Sequence, residues 1–121
     1  MNPGGFIHVF ILDYSGTLTT LKNPAAFLMA RREKYDGCKI VLHTGAVWDS
    51  IDEAVTDAVD ARWKKPCRLD TKLHDTGWLP KQVIIADDDL FAHRAYERIA
   101  SFFPCPAVVI GPEGLPGLLN E

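Results

Sequence analysis

Val9 to Thr20 read V-F-I-L-D-Y-S-G-T-L-T-T: four consecutive apolar residues run into an aspartate, and a Ser-Gly-Thr turn follows. An unbroken apolar run of this length predicts a strand buried on both faces, as in a parallel sheet covered by helices. Asp13 then stands at the carboxyl end of that strand, the edge of an open α/β sheet where ligands bind, and Gly16 lets the backbone turn tightly beside it. Asp13 is therefore a candidate reactive group. Alone it would read as a turn or cap residue, so the rest of the chain has to decide.

Two further apolar runs end in the same way. Lys39 to His43 (K-I-V-L-H) is followed by Thr44 and Gly45, and Val83 to Ala86 (V-I-I-A) by Asp87, Asp88 and Asp89. The connections between them read as helices. Asn23 and Pro24 supply a cap and a first helical position, with a stop at Gly37. Ser50 to Glu53 has capping-box spacing, and Val47, Ile51, Ala54, Val55, Ala58, Val59 and Trp63 predict the buried stripe of the helix that follows. Asp49, Asp52, Glu53, Asp57 and Asp60 then face outward as surface and helix-dipole residues. A short edge strand is expected near Arg62 to Lys64, and a helix from Pro66 or Asp70 closed by Gly77. An aspartate of the acidic triplet caps a last helix with Phe91, Ala95, Ile99 and Phe102 on one face, ended by Pro104. Ala107 to Ile110 is the final strand, and the Gly/Pro-rich tail holds at most a helical turn at Leu115 to Leu119.

Strands alternating with helices predict a three-layer Rossmann-like α/β fold, a parallel sheet with helices on both faces and right-handed crossovers. At 121 residues the chain reads as one domain, 1–121. Hydrophobic residues at 47% and charged ones at 24% are ordinary for a globular protein, and a net charge of −3 does not indicate a nucleic-acid partner. Arg31, Arg32 and Lys34 read as a solvated helix face. With no signal-like start and no run of transmembrane length, the expectation is a cytoplasmic protein without a membrane partner. Cys38, Cys67 and Cys105 lack metal or disulfide spacing and read as reduced structural thiols. His8, His43, His74 and His93 read as structural or surface groups, and Trp48, Trp63 and Trp78 as core or dimer-interface residues.

The string D-Y-S-G-T-L-T at Asp13 to Thr19 resembles the first motif of the haloacid dehalogenase (HAD) superfamily, usually Asp-x-Asp-Gly-Thr-Leu. Thr44, closing the second strand, is similar to that family's second motif, and Asp87 with Asp88, closing a later one, to its acidic fourth. The resemblance implies a strand order of 5-4-1-2-3 with Asp13 at the centre. It implies magnesium-dependent phosphoryl transfer through an aspartyl phosphate on Asp13. Mg2+ would be held by Asp13, by Asp87 or Asp88 and by the backbone carbonyl of Ser15, while Thr44 binds a phosphate oxygen. Lys65, twenty-two residues before Asp87, or Lys72, at the shorter spacing of compact members, would neutralise the phosphate.

Ser15 departs from the pattern, because phosphatases of the family carry there a second Asp that protonates the leaving alkoxide and then activates water. General acid–base help of this kind is typically worth about 10²–10⁴-fold, and a serine hydroxyl is too weak an acid to supply it. P-type ATPases and the phosphonate-cleaving branch also lack an Asp there, so the departure counts against an efficient phosphomonoesterase and not against chemistry on a good leaving group. The alternative is a catalytically weakened phosphate- and metal-binding protein. A phospho-receiver domain is set aside, since only 32 residues follow Asp89. The 30 residues between Asp13 and Thr44 are used by a loop and one helix, leaving no room for a cap domain. An open site implies a phosphorylated substrate that is macromolecular, or a lid borrowed from another subunit of a homo-oligomer.

Overall fold

The computed structural model describes residues 7–117. Its strands are β1 (Ile7–Leu12), β2 (Lys39–Thr44), β3 (Ala61–Lys64), β4 (Pro80–Ala86) and β5 (Ala107–Ile110), all parallel, in the order β3-β2-β1-β4-β5. This is the expected order seen from the other edge of the sheet. β1 is central because Val9, Phe10, Ile11 and Leu12 are each at most 1% exposed, which only a strand covered on both faces can achieve.

The period-two alternation of β1 divides the core into two layers. Phe10 and Leu12 pack with Phe27 and Leu28 of α1 (Pro24–Lys34) and Val55 of α2 (Glu53–Asp57). Val9 and Ile11 pack on the other face with Leu69 and Leu73 of α3 (Leu69–Thr76) and Tyr96 of α4 (Leu90–Ile99). Helices therefore cover both faces of one parallel sheet. Among the described residues no helix is long and apolar enough to cross a membrane.

Local chemistry sets the helix ends. Asn23 accepts the Ala26 amide at the start of α1, with Pro24 at its first position, and Gly77 closes α3 in the left-handed region, φ 74°. The free cysteines are Cys38, Cys67 and Cys105, of which Cys38 is buried.

Several sequence expectations need correction. The helix after β2 is capped by Asp52, which accepts the Ala54 amide, whereas Ser50 ends a separate 3-10 turn (Trp48–Ser50) and bonds back to the Val47 carbonyl. The helix stops at Asp57, and Trp63 lies on β3. Asp60 is not an outward acid: it accepts the Ile40 amide at 2.7 Å and Arg32 Nη2 at 2.8 Å, tying α1 to the edge of β2. Nor are Arg31 and Arg32 a solvated face. Arg31 is 1% exposed with its guanidinium over the Phe27 and Tyr35 rings, and Arg32 also donates to the Ala58 carbonyl.

Of the expected series on α4 only Ile99 packs against the core; Phe91, Ala95 and Phe102 are exposed, and the inward side is Ala92, Tyr96 and Ile99, with Phe103 following in the turn beyond the helix. Two bulky aromatic rings dominated the hydrophobic pattern, but the start of the helix at its Asp89 cap turns the Tyr96 side toward the sheet. In the tail, Pro112–Gly114 form a 3-10 turn and Leu115 is buried, while Leu118 and Leu119 lie outside the described residues, as does Phe6 at the expected start of β1.

Candidate active site

The strand register aligns the three carboxyl ends. Leu12 pairs with Leu42 and with Ala86, so Asp13, His43 and Asp87 follow at one level. The Asp13 amide bonds the Ala86 carbonyl at 2.9 Å and the Asp87 amide the Ile110 carbonyl at 3.1 Å, which prolongs the sheet through both acids. In each strand the alternating residues before them (Ile11, Val41, Ile85) face α3 and α4. Extending that alternation by one step turns Asp13, His43 and Asp87 to the same side.

Lys65, just past β3, reaches this spot. Its Nζ donates to Asp13 Oδ1 at 3.1 Å and to Asp87 Oδ2 at 2.5 Å, and its own backbone amide is fixed on the Thr44 carbonyl. The Lys65–Pro66 peptide is cis. Thr17 Oγ1 donates to Asp13 Oδ2 at 3.2 Å. Tyr96 donates to Asp87 Oδ2 at 2.7 Å, and Asp87 Oδ1 accepts the Asp89 amide at 3.0 Å. Thr44, the last residue of β2, is buried, and its hydroxyl accepts the Ala46 amide at 3.1 Å.

The two central carboxylates are driven apart. Burial pushes the Asp13 carboxyl up to about 6, helped by the charge of Asp87 and opposed by Lys65. Burial acts in the same sense on Asp87, but hydrogen bonds from Lys65, the Asp89 amide and Tyr96 outweigh it and hold that carboxyl below the usual range. At Lys65 burial acts to lower the ammonium, but Asp87 and Asp13 outweigh it and raise it above the ordinary lysine value. The bonds thus keep Asp87 ionised, and Asp13 is the poised group of the pair.

Asp88 approaches from the other side. Gly16 has φ 76°, and a Cβ there would collide with the Asp88 carboxylate, so glycine is required for the turn and for this close approach. One carboxylate oxygen from each of Asp13, Asp87 and Asp88 lies within 4.8 Å of the others. Three hard oxygen donors at that spacing could hold a small hard divalent cation.

Of the residues singled out in the sequence, Asp13, Lys65, Asp87 and Asp88 come together at this edge, Thr44 ends the neighbouring strand β2, and Ser15 stands exposed in the adjoining turn. Lys72 does not join them; it is exposed on α3, which leaves Lys65 as the lysine of the site. Thr17, Tyr96 and His43 were missed. Tyr96 carried a usable signal, because a tyrosine on a buried helical stripe needs a partner for its hydroxyl. A groove of about 760 Å³, lined by Leu73, Trp78, Leu79 and Phe102 among others, opens at the opposite end, where β4 begins at Pro80. Comparisons of the chain with protein-family models, with curated proteins and with solved structures gave no match.

Proposed function

We propose that the chain is a magnesium-dependent phosphohydrolase or phosphotransferase of the haloacid dehalogenase type, working through an aspartyl phosphate on Asp13 and weak on ordinary phosphomonoesters. The observation that carries this reading is the bridging position of Lys65, 3.1 Å from Asp13 and 2.5 Å from Asp87. A fixed ammonium between a poised carboxylate and one that its hydrogen bonds favour as the anion is what an incoming phosphoryl group needs, since positioning and charge neutralisation supply most of the catalysis of its transfer.

An oxygen of Asp13 attacks phosphorus, and the bond to the leaving oxygen breaks with its electron pair. Thr17 holds the second Asp13 oxygen, so the attacking carboxylate keeps one orientation. The Thr44 hydroxyl accepts the Ala46 amide and retains its own proton for a phosphate oxygen. Water, or an acceptor alcohol, then attacks the acyl phosphate and returns Asp13 as a carboxylate. Asp13, Asp87 or Asp88 and the Ser15 carbonyl would hold Mg2+, which would supply further neutralisation of phosphoryl charge when bound. Ser15 offers no carboxyl proton to the leaving oxygen, so substrates whose leaving group departs without one are favoured.

Incubation with acetyl phosphate and Mg2+, followed by reductive trapping and peptide mass spectrometry, tests the reading directly. Label on Asp13 and its absence in Asp13→Asn are the expected results; absence of label on the parent, or label that persists in the variant, would overturn it. The second reading, a phosphate- and metal-binding protein that turns nothing over, is favoured by one observation, the exposed serine at position 15. It predicts magnesium-dependent phosphate binding with no covalent label.

A further inference from the structure

Each carboxylate oxygen can accept about two hydrogen bonds or metal contacts. At Asp87, Oδ2 already accepts two, from Tyr96 at 2.7 Å and Lys65 at 2.5 Å, and Oδ1 accepts one, from the Asp89 amide at 3.0 Å. His93 Nε2, 2.5 Å from the Asp87 carbonyl, pins the backbone as well. Only one site on Asp87, on Oδ1, is left for a cation.

Tyr96 is itself held from behind by His43, whose Nδ1 lies 3.4 Å from the hydroxyl. The single hydroxyl proton of Tyr96 goes to Asp87, so its oxygen can only accept from His43. That pattern assigns His43 the neutral tautomer with the proton on Nδ1. Nε2, which then carries no proton, is buried with no partner among the described residues. The bonds thus run in one direction, His43 to Tyr96 to Asp87, and meet Lys65 at Oδ2.

We infer that Tyr96, backed by His43, is a positioning residue of this site: it holds Asp87 with Oδ2 turned to Lys65, so that a cation can take only Oδ1. The inference rests on the phosphoryl-transfer reading above. Without the Tyr96 hydroxyl the carboxylate is free to rotate, and both the aim of Lys65 and the oxygen offered to the cation are lost.

The test compares the parent chain with Tyr96→Phe and with Phe103→Leu, a change in the same core layer that removes no polar atom. Mg2+ affinity is measured by calorimetry, turnover on acetyl phosphate by steady-state kinetics, and the His43 tautomer by 15N NMR of the metal-free protein. Tyr96→Phe is expected to weaken Mg2+ binding about 10- to 100-fold, to lower kcat more than it changes KM, and to move the His43 proton from Nδ1. Phe103→Leu is expected to lower the melting temperature with Mg2+ affinity unchanged. Parental Mg2+ affinity in Tyr96→Phe, equal weakening in Phe103→Leu, or an Nε2–H tautomer in the parent would each overturn the positioning role alone. A parent that neither binds Mg2+ nor labels Asp13 would overturn the phosphoryl-transfer reading, and this role with it.

Discussion

The ammonium of Lys65 lies 3.1 Å from Oδ1 of Asp13, although 52 residues separate the two in the chain. Nothing local to either residue requires the contact. It follows from the register, which puts Asp13 one step beyond Leu12 in the central strand and Lys65 one step beyond Lys64 in the edge strand, with β2 between them. The same ammonium is closer still to Asp87, so a single cation balances two acids delivered by different strands.

Lys65→Met should therefore be costly in a way that Lys72→Ala is not. Loss of one fixed donor to developing phosphoryl charge typically lowers kcat about 10²–10³-fold, and Asp13 would also lose the charge that opposes its burial. Steady-state rates on acetyl phosphate should fall in that range for Lys65→Met and stay near the parent for Lys72→Ala. The reverse ranking would move the lysine of the site to α3.

Asp13→Asn should abolish turnover and phosphorylation without harming the fold. Burial and Asp87 already disfavour a charge at this position, so in EDTA at pH 7 the neutral amide removes an unfavourable interaction. The variant should melt at or above the parental temperature. A large drop would mean that the Asp13 carboxylate is a structural anchor in its own right.

Much of this site was legible because strand ends announce themselves: an apolar run followed at once by Asp13, Thr44 or Asp87 fixes both the strand and the edge at which its last residue stands. The choice between Lys65 and Lys72 was not legible, since it depends on where the chain leaves β3, a four-residue strand with only Trp63 buried. Asp60 and Arg31 were misread because charge suggests solvent, whereas a buried charge is tolerated where bonds or aromatic faces receive it. Tyr96 was hidden by Phe91 and Phe102, which are larger contributors to any hydrophobic pattern yet are left exposed by the rotation of α4.

His43 gives the fold a pH dependence of known sign. Burial, with Lys65 adding to it and Asp87 opposing, lowers its imidazole to about 4 from an ordinary 6.5. Between those values the unfolded chain binds a proton that the folded chain refuses, so stability falls as pH falls through the window, by up to about 3 kcal/mol at its lower end. The raised Asp13 carboxyl acts in the opposite sense between its ordinary value and about 6, and a comparison with His43→Phe cancels that contribution to first order. Urea unfolding in EDTA should show the variant gaining on the parent as pH is lowered from 7 to 4. A constant difference between the two would mean that the folded chain binds a proton at His43 as readily as the unfolded chain does.

Ser15→Asp isolates one catalytic role, because the backbone carbonyl at that position is available whatever side chain it carries. Ser15 is exposed in the turn after Asp13, so a carboxyl group can be added there without entering the core. If the remaining groups work as proposed, the new acid should protonate the leaving oxygen and raise hydrolysis of an alkyl phosphate by up to about 10²-fold. Acetyl phosphate and p-nitrophenyl phosphate should gain much less, since their leaving groups depart without a proton. The ratio of the two gains is the informative quantity, because it does not depend on the natural substrate. A uniform rise on both esters would point to tighter Mg2+ binding by an extra carboxylate, which calorimetry on the variant would register. No rise on the alkyl ester with Mg2+ binding intact would count against a missing acid at position 15 and favour the binding protein.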